Sequence, residues 1–227
     1  MRRRSAVRIL VALTAALWMA AGTLAPAWPQ EAPTTEAMVS ALSGLEAPSD
    51  LDVPALRQQA AERIKTRADA IALKRPPLSR ELNKLPHINL DIQFNPDTPV
   101  IRPESYRNIA RIADALTDPA LMSFTFLIVG HMDATGRRDN NLALSQRRAE
   151  AIRDALLTTF KLSSKRVLAV GLGEEQLLDA NNPKAAVNQQ AQILTLREVA
   201  QVAGGGSVKP QDTGRPAKSA TSRKAGR

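Results

Sequence analysis

The 227-residue chain contains no cysteine. No disulfide can form, and no thiolate can hold zinc. A lipid anchor, which needs a cysteine just behind an N-terminal apolar run, is excluded as an expectation. Lack of cysteine does not argue against export, since a domain of ordinary size folds without disulfides. Aromatic residues make up only 3% of the chain, too few to build a stacking platform for single-stranded nucleic acid. There are two histidines, His87 and His131. A zinc site needs three or four ligands, so neither a metal nor another cofactor is expected.

The formal charge of +9 does not describe the folded part. Four positive charges belong to Arg2, Arg3, Arg4 and Arg8. The tail after Gly204 carries Lys209, Arg215, Lys218, Arg223, Lys224 and Arg227 against Asp212. Setting both aside leaves residues 28–204 with no net charge, so the high pI is no argument for a nucleic-acid partner. The basic start is followed by an apolar run, Ile9 to Ala21, and then by Ala25-Pro26-Ala27. These are the three parts of a cleaved secretory signal, expected to end at residue 27. The run is short of the roughly 20 apolar residues of a bilayer span; retention as an uncleaved anchor is the rival reading.

Residues 28–53 are rich in Pro, Ala, Thr, Ser and Glu and read as a flexible linker. In residues 54–86, Leu56, Ala60, Ile64, Ala68 and Ile71 recur at helical spacing as far as about Leu73, and Pro76-Pro77 ends the pattern. This helix reads as a solvated spacer or as a small docking element for a partner. Residues 201–227, beginning near Gly204-Gly205-Gly206, form a basic tail with too little apolar surface to fold alone. It is either a solvated tail or a contact for anionic envelope polymers and lipid headgroups.

The core is expected over residues 87–200. Ile88 to Phe94 alternates apolar and polar, as a half-buried strand does. Pro103 opens a helix with Tyr106, Ile109, Ala110, Ala113 and Leu116 on one face. Phe124 to Val129 is almost continuously apolar, which fits a central strand covered on both faces. Asn141 to Phe160 is a long helix with Ala149, Ile152, Leu156 and Phe160 inward. Arg166–Leu172 and Ala191–Leu196 supply two further strands. The order strand–helix–strand–helix–strand–loop–strand predicts an α/β (α+β) two-layer sandwich, and about 110 residues suffice for one core.

The most specific stretch is Gly130-His131-Met132-Asp133-Ala134-Thr135-Gly136, followed by Asn141-Leu142-Ala143-Leu144-Ser145-Gln146-Arg147-Arg148-Ala149. It puts an acid at the end of the central strand and an arginine in the first turns of the next helix. Held on two rigid elements, such a pair can clamp a zwitterion. The stretch resembles the OmpA-like peptidoglycan-binding domain, whose pattern is Gly-His-Thr-Asp, a glycine turn, and Asn-x-x-Leu-Ser-x-x-Arg-Ala on a helix. Gly130, His131, Asp133, Gly136, Asn141, Leu144, Ser145, Arg148 and Ala149 match at the same spacing. Met132 departs, where threonine is usual. The resemblance runs from about Ile88 to Leu196, and implies a βαβαβ-β domain with a mixed sheet and two main helices on one face.

It further implies that peptidoglycan with a diaminopimelate stem peptide is the partner. Asp133 would take the ammonium and Arg148 the carboxylate of its zwitterionic end, the latter in a charge-assisted, bidentate grip. A plain surface pair between Asp133 and Arg148 is the bland alternative. Asn141 either caps its helix, touches the ligand, or does both. Asp97 matches a family position near the ligand, and a turn role in Asn95-Pro96-Asp97 explains it equally well. Thr135 is expected to contribute through the glycine turn. Gln189 replaces the first arginine of the family's Asn-Arg-Arg-Val-Glu-Ile run, here Asn188-Gln189-Gln190-Ala191-Gln192-Ile193, and removes a charge.

No catalytic residue is expected: His131 reads as a packed residue beneath the site, and Ser145 has no evident base. Within the family, a barrel would need many strands ahead of the domain, a lipid-anchored form needs the absent cysteine, and a flagellar stator subunit would normally carry an acid in its span. The expectation is therefore a secreted, periplasmic module associated with cell wall and outer membrane, with envelope proteins as possible further partners. The alternative is a periplasmic protein–protein adaptor with a weakened glycan site, acting through the helix around Leu56–Ile71.

Overall fold

The computed structural model describes residues 33–44, 51–65 and 76–198. The expected signal at 1–27 and the basic tail at 201–227 lie outside the described residues. So does the end of the amphipathic helix beyond Lys65, with Ala68 and Ile71.

Four strands form one mixed sheet in the order β1-β4-β2-β3. They are β1 (His87–Leu90), β2 (Phe124–His131), β3 (Val167–Gly173) and β4 (Ala191–Glu198). β2 and β3 are parallel, joined by the crossover helix α4 (Arg138–Thr158); β4 runs antiparallel to both β1 and β2. This is the mixed α+β sheet that the element order predicts, with α3 and α4 on one face; the second face is not left open as two layers would have it. β1 is shorter than its alternating pattern: it ends at Leu90, and the chain then folds back so that Phe94 bridges Ile101.

β2 shows why its sequence is apolar without alternation. Phe126 and Ile128 enter one core with Ile109 and Leu116 of α3 (Tyr106–Leu116) and Ile152 and Leu156 of α4. Leu127 and Val129 enter a second core on the opposite face, with Leu172 of β3 and Leu194 and Leu196 of β4. In α3 the buried stripe is Ile109, Ile112, Ala113, Ala115 and Leu116, whereas Tyr106 is 43% exposed rather than inward. The helix proper starts at Tyr106, which leaves that residue at its solvent end.

The second core corrects the reading of the chain before residue 87. α2 (Val53–Lys65) is not a solvated spacer: Val53, Leu56 and Ala60 are buried against Leu127, Val170 and Leu194, together with Leu51 and Leu82. Residues 28–53 are not wholly linker either. Thr34 caps a short helix, α1 (Thr35–Leu42), by accepting from the Ala37 N–H at 3.2 Å. Met38 and Leu42, one turn apart, are buried in the first core, and the Thr195 hydroxyl donates to the Leu42 carbonyl at 2.6 Å. Two apolar residues one turn apart are too short a stripe for periodicity to reveal.

The outer edge of β3 is closed by side chains. Arg153 Nε donates to the Val167 carbonyl at 2.9 Å and Arg57 Nη2 to the Ala169 carbonyl at 3.1 Å. The Gly171 N–H donates to Gln146 Oε1 at 2.7 Å, and the Gly173 N–H to Ser145 Oγ at 2.9 Å. An edge so satisfied offers no ladder to another chain, and the same bonds fix α4 against the strand.

Candidate functional site

The end of β2, the loop after it, the first half of α4 and the loops at 95–101 and 183–190 surround a cavity of about 440 Å³. Asp97, Met132, Thr135, Asn141, Arg147 and Gln189 are among its lining residues. Sequence reasoning had singled out Asp97, Thr135, Asn141 and Gln189, and all four are on the wall. Asp133 and Arg148 are not among the lining residues; each touches one that is, Asp133 through Thr135 and Arg148 through Met132.

Asp133 is 9% exposed. Its Oδ1 accepts from the Thr135 N–H at 3.2 Å and from the Thr135 hydroxyl. The turn that makes this possible needs Gly136, whose φ is 78°, a left-handed value that a side chain would strain. Arg148 is half-buried on α4. Its Nε donates to the Thr98 carbonyl at 3.1 Å, its Nη1 lies 3.5 Å from Met132 Sδ, and its guanidinium sits 4.9 Å over the Phe94 ring. Among the described residues Nη2 makes no hydrogen bond. Burial lowers the Arg148 pKa, and the negative charges of Asp97 and Asp133 oppose that shift; the guanidinium remains charged at any working pH. No ion pair joins Asp133 to Arg148, since each is held by other groups.

Asn141 does not cap α4. The helix begins three residues earlier, at Arg138, and its N-cap Arg137 makes no side-chain cap bond. Asn141 Nδ2 instead donates to the Asp133 carbonyl at 3.1 Å, the Thr135 carbonyl at 2.8 Å and Glu174 Oε2 at 2.7 Å. It pins the acid-bearing turn to the helix and to the end of β3. Asp97 has φ 55°, a conformation that short polar residues tolerate. It therefore serves the turn and lines the cavity at once. Arg138 anchors the same helix end through a buried pair with Glu175 at 2.9 Å, and reaches the Arg63 carbonyl of α2 at 3.3 Å.

His131 lies beneath the site, 3% exposed. Its Nδ1 is 2.7 Å from the Gln176 carbonyl and its Nε2 is 3.1 Å from Gln192 Oε1. Burial lowers its pKa to about 4, against smaller raising effects from those two bonds. At neutral pH the ring is uncharged, so Nδ1 donates to the carbonyl and Nε2 accepts. An NH2 of Gln192 facing the ring would satisfy Nε2, and because that NH2 now donates to Asn89 Oδ1 at 2.8 Å, the Asn89 amide would turn with it. Ser145 is fully buried, donates to the Leu142 carbonyl at 2.9 Å and accepts from Gly173 N–H. It joins helix to strand and has no base beside it. Glu174, Gln176 and Arg147 were missed by sequence reasoning. Arg147 sits inside the matched motif at an unspecified position, and Glu174 and Gln176 follow β3 with no local signal for burial.

The OmpA family model matches residues 93–191, which span all the residues of this cavity. The chain carries an OmpA-like domain. It is 34% identical over 108 residues to outer membrane porin F of Pseudomonas aeruginosa, covering 46% of this chain and 30% of the porin. It is 34% identical over 85 residues to the peptidoglycan-associated lipoprotein of Mesorhizobium japonicum, covering 37% of this chain and 49% of the lipoprotein. The chain thus spans 30% to 49% of the length of these curated relatives. A solved structure of the cell wall anchor of the T6SS from Pseudomonas aeruginosa is 26% identical with a TM-score of 0.40, covering 49% of this chain and 80% of that one. In the OmpA-like domain described here, Met132 puts a thioether against Arg148, and Gln189 presents a neutral amide on the cavity wall.

Proposed function

We propose that the OmpA-like domain binds peptidoglycan non-covalently through the zwitterionic end of diaminopimelate, as a periplasmic module of the cell envelope associated with wall and outer membrane. The observation that carries this reading is an acid and a guanidinium that form no ion pair with each other, each in contact with a wall residue of one cavity. Thr135 and Asn141 hold the Asp133 turn, and Thr98, Met132 and Phe94 hold Arg148. A ligand with ammonium and carboxylate on one carbon can therefore engage both without first breaking an internal ion pair. The ammonium takes the place of a counter-ion at Asp133; the carboxylate takes the free end of the Arg148 fork. Thr135, Asn141, Asp97 and Gln189 shape the walls. Binding without turnover is the expected activity, because the two groups a hydrolase would use, His131 and Ser145, are buried and hydrogen-bonded to structural partners. The family match and a peptidoglycan-associated relative support the same reading.

The test is co-sedimentation of the full chain with purified sacculi, with free diaminopimelate as competitor. Asp133→Ala and Arg148→Ala each remove one partner of a partly buried charge, which costs about 2–5 kcal/mol, or at least a thirtyfold loss of affinity. Both variants should unfold cooperatively near the wild-type midpoint. Wild-type protein that stays in the supernatant, or two variants that sediment like wild type, would overturn the proposal. The adaptor alternative is weakened on its own ground: Leu56 and Ala60, two of the five residues of the apolar stripe it would use, are buried inside the domain.

A further inference from the structure

We infer that Arg147 is a second cation of this site, and that it selects ligands carrying a second carboxylate beside the zwitterion. The inference rests on the binding reading above. Arg147 is exposed and lines the cavity together with Asp97 and Gln189. Among the described residues its side chain makes one hydrogen bond, a long one from Nε to its own helix at the Ala143 carbonyl, 3.4 Å. Among the described residues it has no ion pair. The other guanidinium on the wall, Arg137, is already held by Asp139 at 2.6 Å and 3.1 Å, so it is neutralised locally. Among the described residues two arginines here thus form no ion pair, Arg148 against the wall residue Met132 and Arg147 on the wall itself.

One zwitterion uses only Arg148 and Asp133. The carboxylate of Asp97, the acid on the wall, acts on Arg148, which leaves the charge at Arg147 to meet one further anionic group within reach of the cavity. A stem peptide that ends at diaminopimelate supplies one: its main-chain carboxylate is free there, but is an amide when another residue follows. Arg147 would therefore favour trimmed stems over longer or amidated ones.

The experiment titrates the full chain with two synthetic tripeptides, one with the main-chain carboxylate of its terminal diaminopimelate free and one with that group amidated. Wild type should bind the free acid about threefold to fivefold more tightly, the size of an exposed ion pair. The preference should shrink as salt rises. Arg147→Gln should abolish the preference by weakening only the free acid, and Arg147→Lys should restore most of it. Asp133→Ala should weaken both peptides alike. If wild type does not distinguish the peptides, or if Arg147→Gln weakens both equally, the selection by Arg147 is overturned while the zwitterion site stands. If wild type binds neither peptide, both readings fall.

Discussion

Replacing Gly171 by alanine should disturb the site from behind. A Cβ built on Gly171 would lie 2.0 Å from the Gln146 nitrogen and 2.4 Å from its Cα. Both are backbone atoms of α4, so no rotamer change relieves the clash. Restoring an ordinary 3.4 Å contact requires helix and strand to part by about 1.4 Å. Gln146 is two residues from Arg148, whose bonds to Thr98 and Met132 have little slack at 3.1 and 3.5 Å. Separation also stretches the Gly171–Gln146 and Gly173–Ser145 bonds that close the β3 edge. Overpacking of this kind costs about 1–3 kcal/mol, and two strained hydrogen bonds of about 1 kcal/mol each place the loss at the upper end. Urea unfolding followed by circular dichroism should show a lower midpoint with an unchanged slope. Titration with the free-acid tripeptide should show weakened binding at urea-free, fully folded conditions. Gly130→Ala, whose Cβ would lie 2.4 Å from the Ser145 carbonyl oxygen, should behave alike on the neighbouring strand. A Gly171→Ala protein with the wild-type midpoint would refute the claim that helix–strand contact is set by bare backbone.

Leu56→Ala should cost about 2–4 kcal/mol in the same unfolding assay, because Leu56 is 4% exposed in the second core. A solvated spacer helix would lose less than about 0.5 kcal/mol, so a small change would restore that reading. His131, with its folded pKa about 4 against 6.5 for the free side chain, binds its proton more readily when unfolded. Its contribution is present above pH 6.5 and is lost as pH falls from there toward 4, on the order of 3 kcal/mol in all. Wild-type stability should begin to fall below pH 6.5, where carboxylates do not yet titrate, and a His131→Gln variant should lack that part of the slope. Gln189→Arg adds a charge to the cavity wall and should tighten sacculus binding severalfold at low salt; an unchanged affinity would mean that the wall at 189 does not meet the ligand's anion.

The geometry of the candidate site was legible because its information is local. Asp133, Gly136, Asn141 and Arg148 fall within sixteen consecutive residues, and the strand, turn and helix that carry them follow from the same stretch. Asn141 was legible only in part. A polar residue ahead of an apolar helical pattern reads as a cap, yet α4 starts at Arg138, and the side chain is used across elements, on Asp133, Thr135 and Glu174. Those partners lie up to 33 residues away, and no spacing rule reaches them. Glu174 and Gln176 were invisible for the same reason: their burial depends on what the end of β3 meets in space.

The role of α2 was hidden differently, since the sequence held the needed signal in two distant places. The run Phe126-Leu127-Ile128-Val129 is apolar on both faces, which requires a cover on each side of the sheet. The long helices α3 and α4 supply Ile109, Leu116, Ile152 and Leu156 to one side only. Leu194 and Leu196 of β4 add to the uncovered side, and bare apolar surface of that extent is not stable in a monomer. One amphipathic element remained unassigned, the stripe beginning at Leu56 and Ala60. Matching the unmet face to the unassigned stripe places α2 on the sheet, as its buried contacts with Leu127 and Val170 have it. The consequence bears on function: a fragment starting at residue 87 would keep Asp133 and Arg148 but strip the cover from β2 and β3, the two strands whose ends hold the acid-bearing turn and the Gly173 contact to Ser145. The folded unit that carries the candidate site therefore includes the chain from at least Leu51, although the family match begins only at residue 93.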